Sequence, residues 1–402
     1  MDFSLPESAF YHLFFKNKTI MKAKTIKGHN TDEIATRLKE CVGEGFTPTL
    51  AIVFMSVKQD RNVVTKLLDS HGISIFGATS AGEFIDGEIE EESIVMMLLD
   101  LKREYFKICF AETGEGTTRE VGKRIGMLGR QTFEKPAFIV ASGGVSADGE
   151  MVVRGIEDAA GESLTIFGGL AGDDLNMTAT YVFTNNKVTD NGVVAIVIDE
   201  EKVSIKGIAT SGWKPVGTVR TVTKSEGNIV YTIDDKPALD IVIKYLGISP
   251  SEFNKLNDTI INFGVYFPIQ IQRENALPVM RTAMLANLQD RSFICAGSVP
   301  QGSKIKFSLP PDFDVIDQVL ADCHEVKNKE LPYADAMVLF SCKARHLTLG
   351  PMIGQEIEAV RNVWDKPLVG FFCYGEIGKA KVGKHEFHNS TCCLVLLKEQ
   401  AN

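Results

Sequence analysis

The sequence reads as an α/β protein with mixed sheets, an α+β arrangement built from one unit used three times. Three observations carry this: amphipathic helical stretches alternate with near-continuous apolar runs, one order of elements recurs in three places, and each copy holds a small-residue loop that closes on glycine followed by an acid.

In each copy a periodic helix comes first, at Asp32 to Val42, Thr118 to Gln131 and Asp314 to Asn328. A β-branched strand follows it, TLAIVFMS (49–56), AFIVAS (137–142) and DAMVLFS (335–341). A second helix is expected at Asn62 to His71, Met151 to Ala160 and Gln355 to Trp364. A second strand then enters the glycine-acid loop, in ISIFGATSAGEF (73–84), LTIFGGLAGDD (164–174) and PLVGFFCYGEIG (367–378). One more apolar strand closes each unit, SIVMMLLD (93–100), GVVAIVID (192–199) and STCCLVLL (390–397). Strands this apolar belong to a sheet covered by helices, and a strand–helix–strand step implies a parallel crossover. The short link before the closing strand predicts a hairpin return, hence mixed sheets.

Between the second and third copies the pattern changes. Residues 202–233 read as short strands broken at Gly212, Pro215, Gly217 and Gly227, and further strands are expected over 279–309. A helix is expected from Ala238 to Leu246, started by Pro237 and stopped by Gly247. The helical periodicity of the first half gives out near 205–225, which divides the chain into 31–215 and 216–398 after an N-terminal extension, 1–30. Residues 1–20 hold an aromatic cluster (Phe10, Tyr11, Phe14, Phe15) without the basic-then-apolar order of a secretory signal.

The chain has 402 residues, 44% hydrophobic and 24% charged, enough for more than one core. A net charge of -9 argues against a general nucleic-acid footprint. No apolar run approaches the roughly 18 residues that span a bilayer, so no membrane insertion is expected and the setting reads as cytoplasmic. The eight cysteines show no CxxC pair and no zinc spacing, and read as reduced core residues. An enzyme would be expected to show a GxSxG elbow, a His-Glu-x-x-His, a phosphate loop or a GxGxxG turn, and none is present. Cys373 with His388, and Ser142 before Gly143-Gly144, are nucleophile candidates whose spacing matches none of these motifs.

In open α/β sheets ligands collect at the carboxyl ends of strands. The pairs Gly82–Glu83, Gly172–Asp173 and Gly375–Glu376 stand there: glycine admits close backbone approach and a carboxylate accepts from an ammonium, amide or guanidinium. The same residues suit tight turns and turn capping. Arg281, Arg345 and Tyr374 are candidate carboxylate-binding groups, and Trp213 a candidate stacking surface or packing lid.

FGATSAGEF, FGGLAGDD, the GWKPVG to DDKPALDIVIKYLG stretch and GFFCYGEIG followed by FHNST resemble, in that order, the N-terminal and C-terminal halves of the FIST domain, over about residues 30 to 398. The resemblance implies two FIST modules, the first over 31–215 and the second over 216–398, in a sensory protein that binds a small ligand and signals through a partner such as a histidine kinase. Family members include haem-containing nitric-oxide sensors and a part of a eukaryotic F-box adaptor, so a haem sensor and a ligand-free scaffold stand as alternatives. A run Cys-Ser-Gly-Arg common in the family is here Cys342-Lys343-Ala344-Arg345, which keeps the arginine and lacks the glycine. His388, two residues before the last strand, could bind a ligand carboxylate, ligate haem iron through a neutral nitrogen, or anchor to backbone. Asn389 beside it is expected to start the strand through a side-chain-to-backbone bond.

Overall fold

The structure, a computed structural model, describes residues 21–42, 45–145, 147–246, 256–309, 312 and 314–400. The expected extension up to residue 20 and the helix stop at Gly247 lie outside the described residues.

Each unit begins one strand earlier than its sequence periodicity suggests. Lys22–Gly28, Phe106–Glu112 and Val203–Thr210 are edge strands; mixed burial hides the first two among polar residues, and the third, expected as a strand of the different module, belongs to unit three. The first helices follow at Thr31–Val42, Thr118–Thr132 and Asp314–Lys329, and the first core strands at Leu50–Met55, Pro136–Gly143 and Ala336–Cys342. The second helices are Arg61–Ser70, Gly149–Ala160 and Met352–Trp364, the last preceded by the short helix Lys343–Leu349. The second core strands are Ser74–Thr79, Ile166–Leu170 and Leu368–Cys373, and the closing strands Ile94–Asp100, Gly192–Asp199 and Cys392–Glu399. Helix starts follow local chemistry: Asp60 and Asp148 cap two of them, and Thr117 with Glu120 forms a capping box.

All three sheets share one order. The two core strands are parallel, and the closing strand lies antiparallel between the first core strand and the edge strand. The closing strand is therefore not the hairpin partner of the strand before it. Instead a true hairpin precedes it in each unit: Glu83–Ile85 with Glu88–Glu90, Val182–Phe183 with Val188–Thr189, and Glu376–Lys379 with His385–His388. Each hairpin joins a different sheet from its parent. That of unit one extends sheet three, that of unit three extends sheet two, and that of unit two extends sheet one. The exchange covers strand edges that would otherwise stand open and interlocks the three units.

The core and closing strands of these three sheets are buried on both faces, which is why they lack alternation. Ile52 and Phe54 of sheet one, Ile139 and Ile196 of sheet two, and Val338, Phe340 and Phe371 of sheet three meet in a central core. The alternate residues Ala51, Val53 and Met55 pack on helical Ile34, Leu38, Val64 and Leu68. Phe54 touches Phe371 with ring centroids 4.4 Å apart, joining sheets one and three.

Unit three is interrupted between its edge strand and first helix. The insertion, Pro215–Glu226 through Lys304–Ser308, is an eight-stranded antiparallel sheet with its own core of Val222, Leu239, Phe263, Phe293 and Phe307.

Candidate functional site

The exchanged hairpins force the three glycine-acid turns together. Ala81 N–H donates to the Phe372 carbonyl (2.9 Å) and Phe372 N–H to Gly82 (2.8 Å). Leu170 N–H donates to Gly375 (2.8 Å), and Gly172 N–H to Thr79 (2.9 Å), so the turns form a closed cycle of backbone bonds. This cycle is where glycine is required. Gly82 has φ +111°, a Cβ on Gly172 would lie 2.6 Å from the Ala81 nitrogen, and one on Gly375 would enter the Phe387 ring.

The acids are held by donors from their own turns and from beyond them. Glu83, fully buried, accepts from Ser80 Oγ and from Ser93 through N–H (3.1 Å) and Oγ (2.8 Å). Glu376, also fully buried, accepts from Thr391 through N–H (3.2 Å) and Oγ1 (2.6 Å) and from Cys373 Sγ (3.1 Å). Burial lifts both carboxyls to about 7 against the pull of these donors. Asp173 is buried too, but the Tyr374 hydroxyl and the backbone N–H groups of Met177, Thr178 and Ala179 outweigh burial and hold it below the usual carboxylate range. Tyr374 in turn accepts from the N–H of Asp173 (3.2 Å) and Leu175 (2.9 Å). Tyr374→Phe takes the acceptor from the N–H groups of Asp173 and Leu175 and one donor from the Asp173 carboxylate, so an expected loss of about 1–3 kcal/mol should register as an earlier urea midpoint.

Arg281 and Arg345 are interior ties. Arg281 donates to the carbonyls of Ser298 (2.9 Å) and Phe387 (2.8 Å), pinning the insertion to the third hairpin. Arg345 forms a forked pair with Glu356 and donates to the carbonyl of Ser211. Asn389 receives Thr282 N–H (3.4 Å) through Oδ1 and so bonds the insertion, while its Nδ2 has no partner. Cys373 Sγ donates to Glu376 and His388 bonds Gly378, so these two are not paired with each other, and Ser142 Oγ points only to the carbonyls of Gly143 and Gly192.

A cleft of about 630 Å³ opens beside these turns, between the insertion and unit three. Its walls come from the Ala209–Pro215 stretch, Pro278 and Met280, Gln318 and Asp322 on the helix Asp314–Lys329, and His388 and Thr391. Trp213 is 6% exposed, its ring lies under the Arg345 guanidinium (5.0 Å), and its Nε1–H has no partner. His388 is held by Gly378; a carbonyl only accepts, so Nε2 carries the proton and Nδ1 the free lone pair. Burial, reinforced by Arg281, lowers this imidazole to about 4 and keeps it neutral. Asp322 accepts from Thr210 Oγ1 (2.6 Å) and Gln318 Nε2 (3.2 Å). Lys214 pairs with Asp314 and Lys381 with Glu325 at the rim.

Of the residues singled out in the sequence, Trp213 and His388 line this cleft, Glu376, Arg281 and Arg345 bond its wall at Thr391, Met280 and Ser211, Glu83, Asp173 and Tyr374 lie away from its wall, and Ala209–Ser211, Met280, Gln318 and Asp322 carried no motif that could reveal them. Only the break of pattern at Gly212 and Pro215 marked the place. Among the described residues no cluster of three or more His, Cys, Asp or Glu could hold a metal ion, and no helix is long and apolar enough to cross a membrane.

Comparison with known proteins agrees with this architecture. An uncharacterized protein of Methanocaldococcus jannaschii is 23% identical over an alignment of 420 residues, covering 92% of this chain and 77% of that protein. The FIST N domain model matches residues 49–236 and the FIST C domain model residues 238–379, together most of the chain. FIST domains are associated with sensing in signal transduction, and with both models matched in order the chain belongs to the FIST family.

Proposed function

We propose that this protein is a cytoplasmic sensor that binds a small organic molecule in the cleft between the inserted sheet and unit three, and passes occupancy to a signalling partner such as a histidine kinase. The observation that carries the reading is the pair of unused polar groups on the cleft wall: a buried indole N–H without an acceptor and a neutral imidazole with a free Nδ1. An orphaned buried donor costs free energy unless something satisfies it. A ligand with an acceptor for Trp213 and a donor for His388 would do so, its apolar body resting on Met280 and Pro278. Thr391 supports a route outward, because it lines the cleft and also holds Glu376 in the turn cycle. Seven buried thiols suit a reducing compartment.

The same residues do not fit a haem. One imidazole reaches the wall, it offers Nδ1 with Nε2 engaged, and the rim carries ion pairs where a porphyrin face would need apolar cover. The glycine-acid turns offer a ligand little, since their acceptors are already engaged.

A thermal-shift screen of small metabolites against the purified protein tests the reading. A ligand at 100 times its Kd should stabilise the fold by about 2.7 kcal/mol and perturb Trp213 fluorescence, and Trp213→Phe and His388→Ala should each weaken it. The loaded protein should then change partner-kinase autophosphorylation relative to the apo form. A panel with no shift, or a ligand indifferent to both substitutions, sinks the cleft as the sensing site.

A further inference from the structure

We propose a second binding site, for a small organic polyanion of the pyrophosphate-bearing class, at the seam between units one and two. It is independent of the cleft. A pocket of about 460 Å³ lies there, lined among others by Ser74, Arg103, Lys107, Phe110, Asn186 and Lys187. Three of its wall residues are cations and none is a carboxylate. In a chain of net charge -9 this is a local reversal of sign.

The cations are placed without being neutralised. The Arg103 guanidinium is oriented by the Gly72 carbonyl and Ser74 Oγ (3.4 Å), both uncharged. Lys187 Nζ stands 5.4 Å from the Phe110 ring centroid, a support that leaves its charge intact. Among the described residues neither these two nor Lys107 forms an ion pair with a carboxylate, whereas the rim lysines of the cleft, Lys214 and Lys381, are both paired. Asp69 is occupied by Asn185 Nδ2 (2.9 Å). A planar guanidinium beside two ammonium groups matches adjacent phosphoryl groups better than a single carboxylate, and Phe110 offers an apolar face for an organic body.

The placement gives such a ligand a structural consequence. Ser74 belongs to unit one, Arg103 to the link between units, Lys107 and Phe110 to the edge strand of unit two, and Asn186 and Lys187 to the turn of the exchanged hairpin. A polyanion bound by all of them ties the seam that the hairpin crosses.

Titration calorimetry of the full chain with inorganic pyrophosphate as probe tests this, at two salt concentrations, with wild type, Trp213→Phe and the triple variant Arg103→Gln, Lys107→Gln, Lys187→Gln. The expected result is binding that weakens with salt, is unchanged in Trp213→Phe, and falls roughly tenfold or more in the triple variant, the scale of losing charge-assisted hydrogen bonds. An unaltered melting temperature for the triple variant shows that its fold is intact. Absence of binding, equal binding by the triple variant, or tighter binding of a single-stranded oligonucleotide through the same three residues would overturn the proposal.

Discussion

Arg345→Met should lower the stability of the fold by about 3–5 kcal/mol, the cost of leaving one member of a buried ion pair alone. Arg345 is 0% and Glu356 1% exposed, and among the described residues no other cation pairs with Glu356. The substitution also removes the donor to Ser211 and the cation over Trp213, so the cleft wall should loosen with it. Urea denaturation of Arg345→Met and of Arg345→Met/Glu356→Leu separates the charge effect from packing: the double variant should regain most of the loss, since an apolar pair of similar volume replaces the ions. A single variant as stable as wild type would show that Glu356 finds water or a proton, and that the pair does not hold the cleft wall.

The second large effect is on pH dependence. Glu83 and Glu376 are lifted by burial to about 7, from an ordinary 4.5. The folded chain therefore keeps protons that the unfolded chain releases above pH 4.5, and their contribution to stability is complete below that pH and drains away as pH rises to about 7. His346, His385 and His388, lowered by burial to about 4 from 6.5, slope the other way, losing stability as pH falls between those values. The whole-protein curve mixes both, so the informative quantity is a difference. Glu83→Gln/Glu376→Gln keeps the shape and the main donors, and should match wild type near pH 4.5 while gaining on it by about 2–3 kcal/mol per site by pH 8. Parallel stability curves for the two proteins would mean that neither carboxyl is proton-holding in the fold.

Much of this architecture was legible because burial on both faces writes itself into composition. LAIVFM, AFIVAS and AMVLFS could only be strands covered on each side, and the helical period marked the helices between them, whose starts the structure places at Asp60, Asp148 and the Thr117–Glu120 box. The first two edge strands were missed because KAKTIKG and FKICFAE face solvent or a neighbour on one side and so lack that apolar signature, whereas Val203–Thr210 was read as a strand but counted with the module that follows it. The insertion was recognisable as different, through its Gly and Pro breaks, but its partners were not.

The candidate site divides along a similar line. Glycine followed by acid marked three turns, and the turns do meet. Their chemistry depended on neighbours far away in the chain: Ser93 for Glu83, Thr391 for Glu376 and Tyr374, 201 residues on, for Asp173. Arg345 and Arg281 looked like free cations because a sequence shows charge and not what encloses it. Trp213 and His388 were visible as residues of interest, but their unused hydrogen-bonding groups emerge only when every nearby donor and acceptor is placed.

By itself, then, the sequence determined the repeated unit, the strands and helices of each copy, and the positions where backbone must turn tightly, since local propensity and hydrophobic period act over a few residues. Only the tertiary structure decided which sheet each hairpin completes, which carboxylates are satisfied, and where a cleft with unpaired polar groups is left open. Those outcomes rest on hydrogen bonds and packing between segments hundreds of residues apart, and no local pattern encodes them.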